Sequence, residues 1–267
     1  MDGYEDRFGG VARLVGEHEL AALRGAHVCV IGIGGVGSWT VEALARTGIG
    51  ALTLVDLDDV CVSNINRQIN AFTQSVGRSK IEVMKERILQ IQPECRVTLM
   101  PDFFTARSAE AILNADYDYV VDAIDSARLK SLLIVACKER GLRLVTVGGV
   151  GGRLDPCRVR VDDLTRTRND GLLRRVRKEL RQNYGFSRGQ ELWDVPAVFS
   201  LDLPSDPVEQ CGLDVGGSTG RLDCSSGYGA ASFVTGSFGF AAASVVVREL
   251  VVAAGESAVT PRKTGAA

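Results

Sequence analysis

Three glycines at the spacing G-x-G-x-x-G, Gly32, Gly34 and Gly37, stand between a continuous apolar run, HVCVI (27–31), and a helical stretch over 39–47. In such a loop the first glycine makes a tight turn. The second lets a pyrophosphate approach the backbone, and the third allows the helix to pack closely on the strand. The start of the helix adds unpaired N–H groups and a partial positive charge. A second apolar strand, ALTLVD (51–56), ends in Asp56, roughly 20 residues further on, where a ribose-binding acid belongs. Glycines alone would also make a purely structural turn. The strand before them, the helix after them and the acid beyond point to a bound nucleotide, with Gly35 in the same loop.

The pattern that begins there repeats. Residues 79–92 carry Ile81, Met84, Ile88 and Ile91 at helical spacing, closed by Pro93. Strands are expected at 95–100, 117–123 and 142–147, and helices at 107–114 and 127–140. The strands are apolar runs rather than alternating ones, as in a parallel sheet covered on both sides. After Gly152 the alternation lapses into a strand at 158–164, a basic helix at 171–182, a Gly-, Ser- and Asp-rich loop at 202–229 and a long apolar stretch. A short helix is expected at 13–23. The fold class is therefore α/β: a Rossmann-like, mostly parallel sheet with helices on both faces and a less regular C-terminal third. Residues 7–255 are expected to form one domain, with 1–6 and 256–267 as disordered tails.

Composition narrows the setting. A net charge of −2 rules out a general polyanion binder, so any nucleic-acid contact must be local. The seven cysteines are odd in number, scattered and without a CxxC pair. That excludes a disulfide framework, leaves no four-cysteine zinc site and suits a reducing, cytoplasmic compartment. Residues 233–254 are apolar over about the 20 residues that a membrane helix requires. They also contain Arg248, Glu249 and many small residues, so they are read as a buried core helix rather than a membrane span.

The choice between NAD and ATP lies in the segment VDLDDVCVSNINRQ (55–68). Asp58, Asn66 and Arg67 follow the ribose acid, Lys80 opens the next helix, and Asp125 in DAIDS (122–126) sits just past a strand end. Hydride transfer has no use for these groups, whereas adenylation does. Arg67 and Lys80 can neutralise a departing pyrophosphate, and Asp125 can hold Mg²⁺. Singly, each is also explained as a surface charge or a helix cap.

These strings resemble the ubiquitin-activating-enzyme-like (ThiF-type) adenylating superfamily. RFGGVARLVG (7–16), EALARTGIG (42–50), DDVCVSNINRQI (58–69), GGVGG (148–152) and LDCSSGYGAASFVTGSFGF (222–240) resemble, within it, the tRNA threonylcarbamoyladenosine dehydratases. That resemblance implies an ATP-dependent enzyme that activates the threonylcarbamoyl carboxylate on a tRNA adenosine and cyclises it. It implies that Gly32, Gly34, Gly35, Gly37, Asp56, Asp58, Asn66, Arg67, Lys80 and Asp125 hold ATP, with Mg²⁺ on Asp125. It further implies a homodimer and links to a cysteine desulfurase and its sulfur-acceptor protein. A monovalent cation beside the glycines at 148–152 is a further expectation. The zinc-binding CxxC pairs of the biosynthetic relatives are missing, so no zinc is expected. Their second N-terminal arginine is also missing, leaving Arg7 or Arg13 to replace it. The competing readings are an adenylating enzyme for a ubiquitin-like sulfur carrier, a non-catalytic member of a sulfur-transfer pathway and, more remotely, a NAD-dependent dehydrogenase.

Two further features carry chemistry. Cys224 is a candidate nucleophile or persulfide carrier, or else a small loop residue, since cyclisation has its own internal nitrogen nucleophile. On the basic helix, Leu172, Leu173, Val176 and Leu180 form an apolar stripe, while Arg174, Arg175, Arg177, Lys178 and Arg181 lie mainly off it. That face is either solvated or binds tRNA phosphates, with Tyr184 and Phe186 able to stack on a base or pack inside.

Overall fold

The computed structural model describes residues 3–205 and 228–259. The apolar runs, with the polar edge strand VRVDD, pair into one seven-stranded sheet. Its strands are β1 (His27–Ile31), β2 (Ala51–Val55), β3 (Arg96–Met100), β4 (Tyr119–Asp122), β5 (Leu144–Val147), β6 (Val159–Asp163) and β7 (Pro196–Ser200). The spatial order is β3-β2-β1-β4-β5-β7-β6. All neighbours are parallel except the last pair, in which β6 returns antiparallel along β7. The order reverses between β1 and β4, and ligands of open α/β sheets bind in the crevice above such a reversal.

Period-2 geometry sends alternate strand residues to opposite faces. Val28, Val30, Leu52, Leu54 and Val121 face one layer, with Leu44 of α3 (Gly37–Arg46), Met84 of α4 (Lys80–Ile91) and Phe238 and Val246 of α8 (Ser232–Val259). Cys29, Ile31, Val120 and Phe199 face the other. They pack there with Ile112 of α5 (Ala109–Leu113), Leu133 and Ile134 of α6 (Ala127–Glu139) and Leu173 and Val176 of α7 (Gly171–Asn183). Each fully buried aliphatic side chain contributes about 1.5–3 kcal/mol against exposure. This is the α/β arrangement expected from the sequence.

Some local expectations change. The helix expected at 13–23 is two helices, α1 (Gly3–Val15) and α2 (Glu17–Gly25), because Gly16 takes a φ of 107° and breaks the chain direction. Residues 1–6 are not a tail as a whole: α1 begins at Gly3, and Tyr4 is buried, stacked near Phe8 and donating its hydroxyl to Gly48 O at 2.7 Å. The other expected tail, 256–267, likewise gives up its first residues to α8. Strand β7 was not foreseen, and it is the strand that joins β6 to the rest of the sheet.

Helix α8 is long and apolar enough to cross a membrane by length and composition alone. One of its sides, carrying Val234, Phe238, Ala242, Val246 and Leu250, belongs to the core. Gly239 lies so close to α3 that a Cβ there would come within 2.7 Å of Trp39 Cβ.

Candidate nucleotide site

The glycine loop leaves β1 and enters α3 at the reversal of strand order, and each glycine meets a different constraint. Gly32 takes a φ of 92°, and a Cβ there would lie 2.8 Å from Ala123 O. A Cβ on Gly37 would fall 1.8 Å from Gly32 O, so any side chain forces the helix off the strand. Gly34 faces open space, with nothing within 4 Å of the same test atom. The loop is thus closed where it packs and open at Gly34. Gly35 lies between Thr235 and Arg67: its Cβ position is 3.2 Å from Thr235 Cγ2 and 3.7 Å from Arg67 Cδ.

Asp56, buried just past β2, braces this loop. Its Oδ2 accepts the Ile33 N–H at 2.6 Å and its Oδ1 the Asp58 N–H at 2.9 Å. Burial raises its pKa, against the opposing pull of Lys80 and those two N–H groups. Lys80 opens α4 almost wholly buried, and its Nζ reaches Asp58 Oδ2 at 2.8 Å. Asp58 is itself half exposed, so this cation is held at the cleft wall by a carboxylate that solvent and ligands can reach.

Arg67 and Asn66 sit on the crossover after β2. Arg67 Nη1 donates to Ser63 O at 2.7 Å and to Asn66 Oδ1 at 2.9 Å, and Asn66 Nδ2 donates to Ala230 O at 2.8 Å. On the far side of the loop is Asp125, three residues beyond the end of β4. Among the described residues no hydrogen bond or ion pair engages its oxygens. Surrounding protein raises its pKa, Lys130 and Arg175 pull it down, and Asp170 pushes it up. Beneath it lies a buried cluster: Lys130 Nζ is 3.1 Å from Asp122 Oδ1 and 3.3 Å from Thr146 Oγ1, and Thr146 donates to Asp122 Oδ2 at 2.6 Å.

The structure therefore gathers Gly32, Gly34, Gly35, Gly37, Asp56, Asp58, Asn66, Arg67, Lys80 and Asp125 around one loop. Cys224 lies outside the described residues, as do Cys211 and Arg221. The chain leaves for that segment from Ser205 and returns at Tyr228, both beside Gly152: Ser205 N donates to Gly152 O, and Gly152 N donates to Gly229 O. Arg7 is not near the loop within its own chain, because it donates to Ile91 O, at the opposite end of α4 from Lys80.

The basic helix divides its charges. Arg174, Arg175 and Lys178 are exposed. Arg177 instead bonds Thr167 Oγ1, and Arg181 stacks 5.1 Å over the Trp193 ring. Phe186 packs edge-on against Trp193, while Tyr184 stays partly exposed. Arg153 belongs to none of the sequence motifs, yet it is placed beside the glycine run. Its buried guanidinium bonds Gly149 O and Asn169 O and pairs with Asp170, which caps α7 through Leu173 N and also accepts Gly149 N. Only the basic residue after GGVGG hinted at this bolt between the glycine run and the basic helix.

An open phosphate loop at a strand-order reversal, with an acid on the next strand and cations around it, defines a nucleotide-binding α/β protein. The chain belongs to the ThiF family, whose model matches residues 10–251. It is 47% identical to a tRNA threonylcarbamoyladenosine dehydratase of Haemophilus influenzae over 94% of this chain and 95% of that one. It superposes on the Escherichia coli tRNA threonylcarbamoyladenosine dehydratase solved with ATP, with a TM-score of 0.86, 44% identity and coverage of 96% and 98% of the two chains. The same Escherichia coli protein has been solved with AMP. The Escherichia coli sulfur carrier protein ThiS adenylyltransferase is 33% identical, over 47% of this chain and 50% of its own.

Proposed function

We propose that this chain uses ATP to dehydrate threonylcarbamoyladenosine in tRNA to its cyclic form. The observation that carries the reading is the extent of the likeness. The Haemophilus influenzae and Escherichia coli dehydratases match 94% and 96% of the chain, whereas the sulfur-carrier adenylyltransferase matches 47% of it.

A carboxylate oxygen of the threonylcarbamoyl group attacks the α-phosphorus of ATP, and pyrophosphate leaves. A nitrogen of the same modification attacks the acyl carbon, a ring closes, and AMP departs with that oxygen. The Escherichia coli relative has been solved with AMP, the nucleotide this step releases. The internal nitrogen makes a protein nucleophile unnecessary, so Cys224 has no obligatory covalent role. Arg67 and Lys80 face the phosphates and offset the charge that builds as pyrophosphate leaves. Asp56 meets the ribose, and Gly34 leaves room for the phosphates.

Mg²⁺ binds through one or two carboxylates together with substrate phosphates. The carboxylate of Asp125, beside the phosphate loop and without a hydrogen bond or ion pair among the described residues, suits that demand, and Asp125 would hold the ion. When bound, Mg²⁺ draws negative charge off the phosphate oxygens. The exposed Arg174, Arg175 and Lys178 would meet tRNA phosphates. The working unit is a homodimer in the cytoplasm, with a cysteine desulfurase and its sulfur acceptor as pathway partners. The test is stoichiometric: one AMP and one pyrophosphate should form for each modified adenosine that loses water. ATP consumption with no change in the tRNA would reject the proposal.

A further inference from the structure

Arg67 is held by its backbone as well as by its side chain. Its carbonyl oxygen accepts two hydrogen bonds, from Trp39 Nε1 at 3.0 Å and from Thr235 Oγ1 at 3.0 Å. Trp39 lies on α3, directly after the phosphate loop, and Thr235 lies in the first turn of α8, 168 residues along the chain. Thr235 is fully buried, and its methyl lies 3.2 Å from the point where a Cβ on Gly35 would stand. One side chain therefore touches the phosphate loop with its methyl and holds Arg67 with its hydroxyl. The residue before Arg67 is gripped from the same place, since Asn66 Nδ2 donates to Ala230 O just ahead of α8. Phe240, one further turn along, packs edge-on against the Trp39 ring at 5.8 Å and fixes its plane.

We propose that Thr235 and Trp39 are positioning residues for Arg67, so that the C-terminal helix α8 sets where Arg67 stands beside the phosphate loop, its Cδ 3.7 Å from the Cβ position of Gly35. The inference rests on reading Arg67 as a phosphate-facing cation. The geometry favours a positioning role over simple packing. Packing would need only apolar contact, whereas here two donors from two different helices converge on one carbonyl oxygen. That oxygen belongs to the residue whose side chain must be aimed. A buried carbonyl that loses one of its two donors is held less firmly, and a misplacement of about 1 Å is enough to cost a large part of an oriented group's effect.

The experiment is a double-mutant cycle on ATP affinity, measured by calorimetry on the full chain without tRNA. Thr235→Val keeps the branched shape against Gly35 and removes only the donor. It should weaken ATP binding several-fold in the native background, add nothing in an Arg67→Ala background, and be reversed by Thr235→Ser. Trp39→Phe, which removes the other donor and keeps a ring against Phe240, should show the same non-additivity and serves if Thr235→Val fails to fold. An equal loss of affinity with and without Arg67, or no loss from either donor, would overturn the positioning role and leave the dehydratase reading intact. Failure of the native chain to bind ATP would sink both.

Discussion

Lys130 and Asp122 face each other 3.1 Å apart with neither side chain exposed to solvent. Asp122 is the last residue of β4, and Lys130 lies on α6, so the pair ties strand to helix across the turn that carries Asp125. Thr146 of β5 completes it with hydrogen bonds to both partners. Removing one member leaves a buried charge without its counter-ion, which costs about 3–5 kcal/mol. Lys130→Met should destabilise the fold by that amount in urea unfolding, and Lys130→Arg by less. A Lys130→Met protein of native stability would show that the cluster is dispensable.

The glycines of the phosphate loop should separate binding from folding. Gly34→Ala places a methyl in open space, so the melting temperature should stay within a few degrees of native while ATP affinity falls at least tenfold. Gly37→Ala places one 1.8 Å from Gly32 O and should lose stability first. Thermal melts with and without ATP distinguish the two, and similar behaviour of both variants would contradict this division of labour.

Asp163, at the end of β6, titrates with the fold. Burial would raise its pKa, but hydrogen bonds from Thr165, Val195 and Trp193 outweigh burial and hold it below the ordinary aspartate value. A depressed folded-state pKa gives stability that is complete above the unfolded value, about 3.9, and is lost as pH falls through the folded one. The stability gap between native protein and Asp163→Asn should be constant above about pH 5 and close as the pH falls below about 4. A gap independent of pH would exclude the ionised carboxylate as its cause.

The basic helix makes a sharper prediction than its charge count does. Arg174, Arg175 and Lys178 are exposed, whereas Arg177 and Arg181 hold Thr167 and Trp193. Alanine at the first three should weaken tRNA binding. The salt slope of log K should also fall by about 0.7–0.9 for each phosphate that is no longer neutralised. Alanine at Arg177 or Arg181 should lower stability instead. Filter binding at several salt concentrations reads the first effect and melting curves the second, and an unchanged salt slope in the triple variant would place tRNA elsewhere.

The nucleotide loop was legible in the sequence because its constraints are local: three glycines, a strand, a helix and an acid, all within about thirty residues. The inner parallel strands β1, β2, β4 and β5 were legible for the same reason, as apolar runs buried on both faces. Strand β7 was not, because PAVFS is five residues long and a short apolar run fits a buried helix turn equally well. Only its pairing with β5 on one side and β6 on the other defines it. Arg177 and Arg181 read as part of a basic face because helical spacing reports direction, not what a neighbouring segment offers; Thr167 and Trp193 come from outside the helix. The grip of Thr235 and Trp39 on Arg67 is more remote still, since it exists only once α8 has packed on α3.

The central claim is best tested on the nucleoside itself. Purified protein is incubated with ATP, Mg²⁺ and threonylcarbamoylated tRNA, and the digested nucleosides are weighed by mass spectrometry. The modified adenosine should lose the mass of one water only when ATP is present, and Asp125→Ala should abolish the change. An unchanged mass, from protein that binds ATP and tRNA that carries the modification, would contradict the account and direct attention to the carboxyl terminus of a carrier protein as the group activated.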